Sequence, residues 1–234
     1  MSTENKQKKA ILFSGGGQIN IELVKTLLDK ERGNEVYKRA VYIGAANGDR
    51  VPFFLNMKSI LVGVGIPKVT HLKLAQNDVD VAKAKELLQK ADVIFISGGE
   101  VEDGMNWLDK HGLRETVVEQ YYEGKQFICV SAGTIMMGKY WLDMDEDNNH
   151  KNPKIFTCLG IIPHVFDTHA ENEDWIELKT ALRLLGNNSI GYGIPTLGLI
   201  TATSDGKLEG INSDLLEFMY NEKGYIITPK REIC

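Results

Sequence analysis

The sequence predicts an α/β protein, with a mostly parallel sheet, helices on both faces and small antiparallel additions near the C-terminus. Three observations carry that expectation. Short apolar runs of strand character alternate with segments of helical period as far as Ser131, the pattern of strand–helix–strand crossovers. Several of those runs end directly in glycine or serine, at Gly15-Gly16-Gly17, Gly98-Gly99 and Ser131. Beyond Ser189 the pattern changes to β runs split by turn residues.

Residues 1–8 are polar and read as a disordered tail, with 9–234 as a single domain. Ala10–Ser14 is the first β run, and a helical pattern from Ile19 to Leu28 follows its glycine turn. Ala40–Ala45 is the second, leading through Asn47-Gly48-Asp49-Arg50 to a helix over Phe53–Val62. Lys68–Leu74 is the third, and Val81–Lys90 an amphipathic helix. Asp92–Ser97 is the fourth, followed by helices near Met105–Asp109 and Leu113–Tyr122. Phe127–Val130 is the fifth, and Thr134–Leu142 is expected to continue it as a helix. An acidic stretch, Glu171–Asp174, opens a helix running through Leu185. Ser189–Ile194 and Leu197–Thr203 read as strands around Pro195, with a hairpin turn at Ser204-Asp205-Gly206-Lys207. Glu217–Tyr220 and Tyr225–Thr228 read as a terminal hairpin on the sheet edge.

A length of 234 residues with 43% apolar and 25% charged side chains suits one large globular domain. The net charge of −5, and the lack of a dense basic patch beyond Lys6–Lys9, argue against a nucleic-acid partner. No apolar run approaches membrane-spanning length and the N-terminus is polar, so neither a membrane nor a signal peptide is expected. Cys129, Cys158 and Cys234 form no disulfide framework and no C-x-x-C site, and the chain reads as cytoplasmic.

Parallel α/β sheets bind ligands beyond the carboxyl ends of their strands, where the glycine turns and Ser131 converge. A dinucleotide fingerprint would need glycine at Asn20, so that ligand is not expected. Cys129-Val130-Ser131-Ala132-Gly133 has the form of a nucleophile elbow, with Cys129 where the motif carries glycine. The plainer reading of Ser131 is a helix N-cap. Asp143, Asp145 and Asp147 have the spacing of a calcium loop, but Asn148 and Lys154 occupy its glycine and closing glutamate positions. That segment reads as a solvated loop. His164, Asp167, His169 and Glu171 are metal-ligand types, yet two histidines five apart do not share a helical face. No metal and no cofactor are expected.

Taken together, these stretches resemble the serine peptidases related to dipeptidase E and cyanophycinase, whose flavodoxin-like fold is similar to that of class I glutamine amidotransferases. The resemblance covers Lys9 to Lys207. Its marks are the strand with Gly15–Gly17, Ala40–Ala45, Ala91–Gly99, Val130–Gly133, Leu159–Pro163 running into Asp167-Thr168-His169, and Ile190–Gly193. It implies Ser131 as nucleophile and His169 as general base, with His164 a poorer fit. It also implies an oxyanion hole from the Ala132 amide and the Gly98/Gly99 backbone, and substrate contacts at Gly16, Glu100 and Thr196.

The sequence departs from the family at several places. Thr196 stands where the third triad member, a glutamate, is expected, and threonine cannot stabilise imidazolium by charge. Glu146 or Asp147 is the expected replacement acid, while Asp167 would share His169's side of a strand without needing to reach its ring. Glu100 replaces a polar amide or aspartate, and Glu171–Asp174 replaces an Arg-rich stretch, an acidic rim that disfavours acidic substrates. The leading expectation is a serine hydrolase cleaving a small peptide or isopeptide bond, with no cofactor; a homodimer is allowed. The alternatives are a catalytically silent homologue binding a small ligand at the same edge, and a cysteine nucleophile at Cys129, which is more simply a core thiol.

Overall fold

The computed structural model describes residues 9–143, 152–230 and 232–233. In chain order its first half reads β1 (Ile11–Ser14), α1 (Ile21–Arg32), β2 (Arg39–Ile43), α2 (Val51–Gly63), β3 (Lys68–Leu72), α3 (Val81–Lys90), β4 (Val93–Ile96), α4 (Val101–Lys110), α5 (Arg114–Tyr122) and β5 (Gln126–Val130). The second half reads α6 (Ala132–Met137), β6 (Tyr140–Asp143), β7 (Lys154–Thr157), β8 (Val165–Thr168), α7 (Ile176–Leu185), β9 (Ile190–Ile194), β10 (Leu199–Ala202), β11 (Leu208–Gly210), β12 (Leu215–Asn221), β13 (Gly224–Lys230) and β14 (Glu232–Ile233).

The main sheet has the order β14-β11-β10-β1-β5-β4-β2-β3. From β1 to β3 its neighbours are parallel, and β10, β11 and β14 add antiparallel strands beyond β1. Period-2 alternation along each strand sends successive side chains to opposite faces. Leu12, Tyr42, Phe95 and Ile128 therefore pack under α1 and α2 with Val24, Leu28 and Leu61. Phe13, Val41, Ile94 and Phe127 face the other way, onto Leu88, Leu108 and Val117 of α3 to α5. Both faces are covered, as continuous apolar strands require.

The late strands do not all join that sheet. β8 and β9 are parallel to each other and, with β12 and β13, form a second sheet of order β13-β12-β9-β8. Alternate glycines in β9 make room for α7. A Cβ on Gly191 would lie 2.8 Å from Leu178, and one on Gly193 would lie 2.7 Å from the Trp175 ring. Phe13 of β1 meets Phe166 of β8 edge to face at 5.3 Å, joining the two sheets.

Two of the boundaries that differ from those read in the sequence have a visible cause. The helix expected over Thr134–Leu142 stops at Met137, and Tyr140–Asp143 pairs with Lys154–Thr157 as an antiparallel hairpin. The chain turns at Gly138, where a Cβ would lie 2.8 Å from the His164 carbonyl oxygen, so this close approach ends the helix. The third strand ends at Leu72 because Asp49 Oδ2 captures the amides of Leu74 and Ala75, each at 2.6 Å.

The second sheet is seated against the turn after β1. Gly15 N–H donates to Gly198 O at 2.9 Å, Leu197 N–H donates to Gly16 O at 3.1 Å, and a Cβ on Gly15 would meet Pro195 O at 2.2 Å. Gly15→Ala should therefore cost roughly 1–3 kcal/mol through forced separation of these backbones. A urea midpoint that stays at the wild-type value would refute this seating.

Candidate active site

Ser131 joins β5 to α6 with φ 52° and ψ −123°, a conformation that L-residues adopt only when the surroundings over-determine it. Here they do. Ser131 N–H donates to Ser14 O at 2.9 Å, and Ser131 O accepts from Thr134 N–H at 2.7 Å and Ile135 N–H at 3.2 Å. All six residues of α6 are buried. Gly133 lets the turn press against β4, since a Cβ there would lie 2.3 Å from Ile96 O. Gly98 keeps the space beside the hydroxyl open: its Cβ would be 3.0 Å from Ser131 Cβ and 3.4 Å from Oγ. Cys129 occupies the motif's glycine position by turning into the core, where burial pushes its thiol well above the usual range. That thiol is no nucleophile at neutral pH.

The imidazole arrives from the second sheet. His169 follows β8 at φ 47°, and its N–H donates to Ile194 O at 2.9 Å. Its Nε2 lies 2.8 Å from Ser131 Oγ, the distance a serine-to-imidazole proton transfer needs. Gly16, read as a substrate contact, stands behind this pair: a Cβ there would be 3.2 Å from His169 Cδ2 and 3.8 Å from Ser131 Cβ. His164 is occupied elsewhere, its Nε2 2.8 Å from Gly206 O and its ring edge-on to Tyr192.

Thr196 bonds not to the imidazole but to a carboxylate. Its N–H donates to Glu171 Oε1 at 2.5 Å and its hydroxyl to Oε2 at 3.3 Å. Partial burial pushes Glu171 up, but the Thr196 donors and the His169 charge outweigh it and hold the carboxyl below its usual range. An acid thus sits within electrostatic reach of His169, two residues along its own loop. The sequence reading counted Glu171 only as part of an acidic rim. Glu146 and Asp147 lie outside the described residues. Among those described, no carboxylate hydrogen-bonds a ring nitrogen of His169.

Ser131 and His169 open onto a cleft of about 370 Å³, lined in part by Gly99, Ala132 and Glu100. Ala132 is the first residue of α6, so its amide is one of those a helix leaves without an intrahelical acceptor. Gly99, at φ 138°, is pressed onto the turn after β2, where its Cβ would lie 2.1 Å from Ala46 O. Asn47 fixes the same loop by donating Nδ2–H to Gly98 O at 2.9 Å and Ser97 Oγ at 3.0 Å. Asp167 is on the cleft wall and nearly buried. Its Oδ1 accepts from Thr168 N–H at 2.7 Å, while Oδ2 has no hydrogen-bond partner. Desolvation, with Glu177 and Glu173 adding to it against the Thr168 and Leu178 amides, pushes its carboxyl up to about 7.

Fold and site together define an α/β protein that presents a serine–histidine pair at the carboxyl edge of its sheet. The chain belongs to peptidase family S51, whose model matches residues 10–206. It is 25% identical over 151 residues to Peptidase E of Shewanella denitrificans, a stretch covering 63% of this chain and 62% of that relative's length. The crystal structure of a peptidase from an acI-B1 Actinobacterium superposes with a TM-score of 0.74 at 17% identity, over 98% of both chains. A candidate Peptidase E from Listeria monocytogenes superposes at 0.58 and 18% identity, over 94% of this chain and 98% of that one. These two likenesses show the fold. Among the described residues, no helix is long and apolar enough to cross a membrane.

The Asp167 carboxyl has a measurable consequence. Because its folded pKa is raised from 3.8 to about 7, the fold favours the protonated form, and stability is lost as pH rises between those values. Asp167→Asn should be more stable than the parent at pH 8, by an amount on the order of 2–4 kcal/mol. The advantage should shrink steadily toward pH 5 in urea titrations. A gap that does not change with pH would contradict the burial-driven shift.

Proposed function

We propose that this chain is a serine-type peptidase that cleaves a small peptide or isopeptide bond through an acyl-enzyme on Ser131. The observation that carries the reading is the 2.8 Å contact between Ser131 Oγ and His169 Nε2, made by a serine held at positive φ on a strand-to-helix turn. Membership of a peptidase family and the relative named Peptidase E support it.

In this mechanism His169 Nε2 takes the hydroxyl proton as Oγ attacks the scissile carbonyl. The Ala132 amide and the Gly98/Gly99 backbone receive the oxyanion, each such donor contributing about 10²–10³ in rate. His169 then gives its proton to the leaving amine, and water hydrolyses the acyl-serine by the reverse route. Thr196 supplies no charge, and Glu171 takes that part: anchored by Thr196, it stabilises the imidazolium through space rather than by a direct bond. The intact Ser131–His169 contact favours this reading over a silent ligand-binding homologue. Free thiols at Cys129 and Cys158 fit a cytoplasmic setting.

A fluorophosphonate probe should label the wild-type protein at Ser131, and Ser131→Ala should abolish labelling. His169→Ala should slow it by about 10³-fold or more. Glu171→Gln should lower kcat about ten- to a hundredfold with little change in KM, less than loss of a directly bonded acid. Well-folded protein that neither labels nor turns over any member of a dipeptide panel would defeat the proposal.

A further inference from the structure

The turn after β4 brings two glycines beside the Ser131 hydroxyl, and a side chain from the neighbouring turn holds the peptide between them. β2 and β4 are adjacent and parallel, so Ala45–Asn47 beyond one strand meets Ser97–Glu100 beyond the other. Glu100 N–H donates to Ala46 O at 2.7 Å, and a Cβ on Gly99 would lie 2.7 Å from Asn47 N. The Asn47 side chain closes the contact. Its Nδ2 donates to Gly98 O at 2.9 Å, to Ser97 Oγ at 3.0 Å and to Tyr42 OH at 3.2 Å. Its Oδ1 accepts from Arg50 N–H at 3.1 Å. A backbone N–H needs an acceptor and a carbonyl needs a donor, so these partners permit only one orientation of the side-chain amide. The buried Tyr42 braces the group from below, its hydroxyl donating to Ser97 Oγ at 2.9 Å. Among the described residues, the N–H groups of Gly98 and Gly99 donate to no acceptor in the chain.

We propose that Asn47 is a positioning residue for the oxyanion hole: by holding Gly98 O it aims the Gly99 N–H of the same peptide into the cleft, to receive the oxyanion together with the Ala132 amide. The inference rests on the peptidase reading above and deepens it, naming which glycine donates and what directs it. A trans peptide is planar, with its C=O and N–H pointing in opposite directions. Gly98 O points at Asn47, so Gly99 N–H points away from Asn47, and Gly99 lines the cleft that Ser131 also lines. A peptide between two glycines flips readily, because glycine adopts either sign of φ at little cost. One fixed carbonyl is enough to prevent that. A donor already aimed before reaction stabilises developing charge without reorganising, which is where such donors gain their effect. Alanine at 47 would release the peptide, and aspartate would set a carboxylate oxygen against Gly98 O.

Two measurements test this. In the first, Asn47→Ala, Asn47→Asp and Val41→Ala are compared with wild-type protein on one cleaved dipeptide. Asn47→Ala should lower kcat about ten- to a hundredfold with KM within about twofold, and Asn47→Asp should lower it at least as far. The pH profile of Asn47→Ala should keep its wild-type shape, because the Ser131–His169 contact is left in place. Val41→Ala, which removes core packing from β2, should lower the urea midpoint and leave kcat unchanged. In the second, each protein is reacted to completion with a fluorophosphonate, whose phosphonyl oxygen takes the oxyanion's place, and the glycine amides are followed by nitrogen–proton NMR. The Gly99 amide proton should move downfield on labelling in the wild type, and that move should be lost in Asn47→Ala. An Asn47→Ala protein with wild-type kcat overturns the inference. So does a downfield move at Gly98 in place of Gly99, or an equal loss of kcat in Val41→Ala, which would make Asn47 merely structural. Should Asn47→Ala fail to fold, Asn47→Asp, of the same size and still able to accept from Arg50, decides both measurements. Wild-type protein that neither labels nor turns over rejects the peptidase reading itself, whereas labelling with an unmoved Gly99 amide rejects only the role given to Asn47.

Discussion

The site depends on one backbone contact, the seating of the β8 and β9 ends against the glycine turn after β1. Ser131 belongs to the main sheet and His169 to the second one, so neither sheet alone contains a reactive pair. Their 2.8 Å approach is fixed by atoms that carry no chemistry: Gly15 packed on Pro195 O, Leu197 bonded to Gly16 O, and His169 bonded to Ile194 O. Glycine is needed at these points because any Cβ would hold the sheets apart. Phe13 against Phe166 and the fully buried α6 fill the space between them. A proton transfer over hydrogen-bond distance tolerates little misplacement, so a rigid seam between two sheets is a suitable place for it.

Strain at the pair follows from the same seam. Ser131 and His169 both lie at positive φ without being glycine or asparagine. Each such residue costs of order 1–3 kcal/mol, and the surrounding hydrogen bonds and packing offset that cost. The outcome is a hydroxyl and a ring that do not need to be ordered when substrate binds.

Much of this was legible in the sequence, and the exceptions share a cause. The βα alternation, the glycine turns and the serine at a strand end are written in short-range patterns, which the chain obeys locally. Ser131 and His169 were singled out from motifs and family resemblance, and the structure places them in contact. The second sheet was not legible, because whether Val165–Thr168 joins β9 or the main sheet is decided by long-range pairing. Alternate glycines at 191 and 193 were the available signal, since a strand without side chains on one face is one onto which a helix packs closely. The early end of α6 at Gly138 comes from the His164 carbonyl, which lies 26 positions downstream and leaves no local trace. Glu171 was missed for a similar reason: its partner Thr196 is 25 positions away, so nothing nearby separates it from the acidic residues that follow.

In the proposed mechanism, the replacement at Thr196 changes how charge is delivered to the imidazole rather than removing it. A directly bonded acid both orients the ring and balances its positive charge. Here the His169 N–H to Ile194 O bond and the Gly16 backing constrain the ring's backbone and one face, so orientation is supplied by the fold. Only the charge is left to provide, and Coulomb attraction needs proximity but no hydrogen-bond geometry. Glu171 meets that weaker requirement because Thr196, two donors wide, keeps the carboxylate ionised and beside the loop that carries His169. The threonine therefore acts one step removed, holding an acid in place of being one.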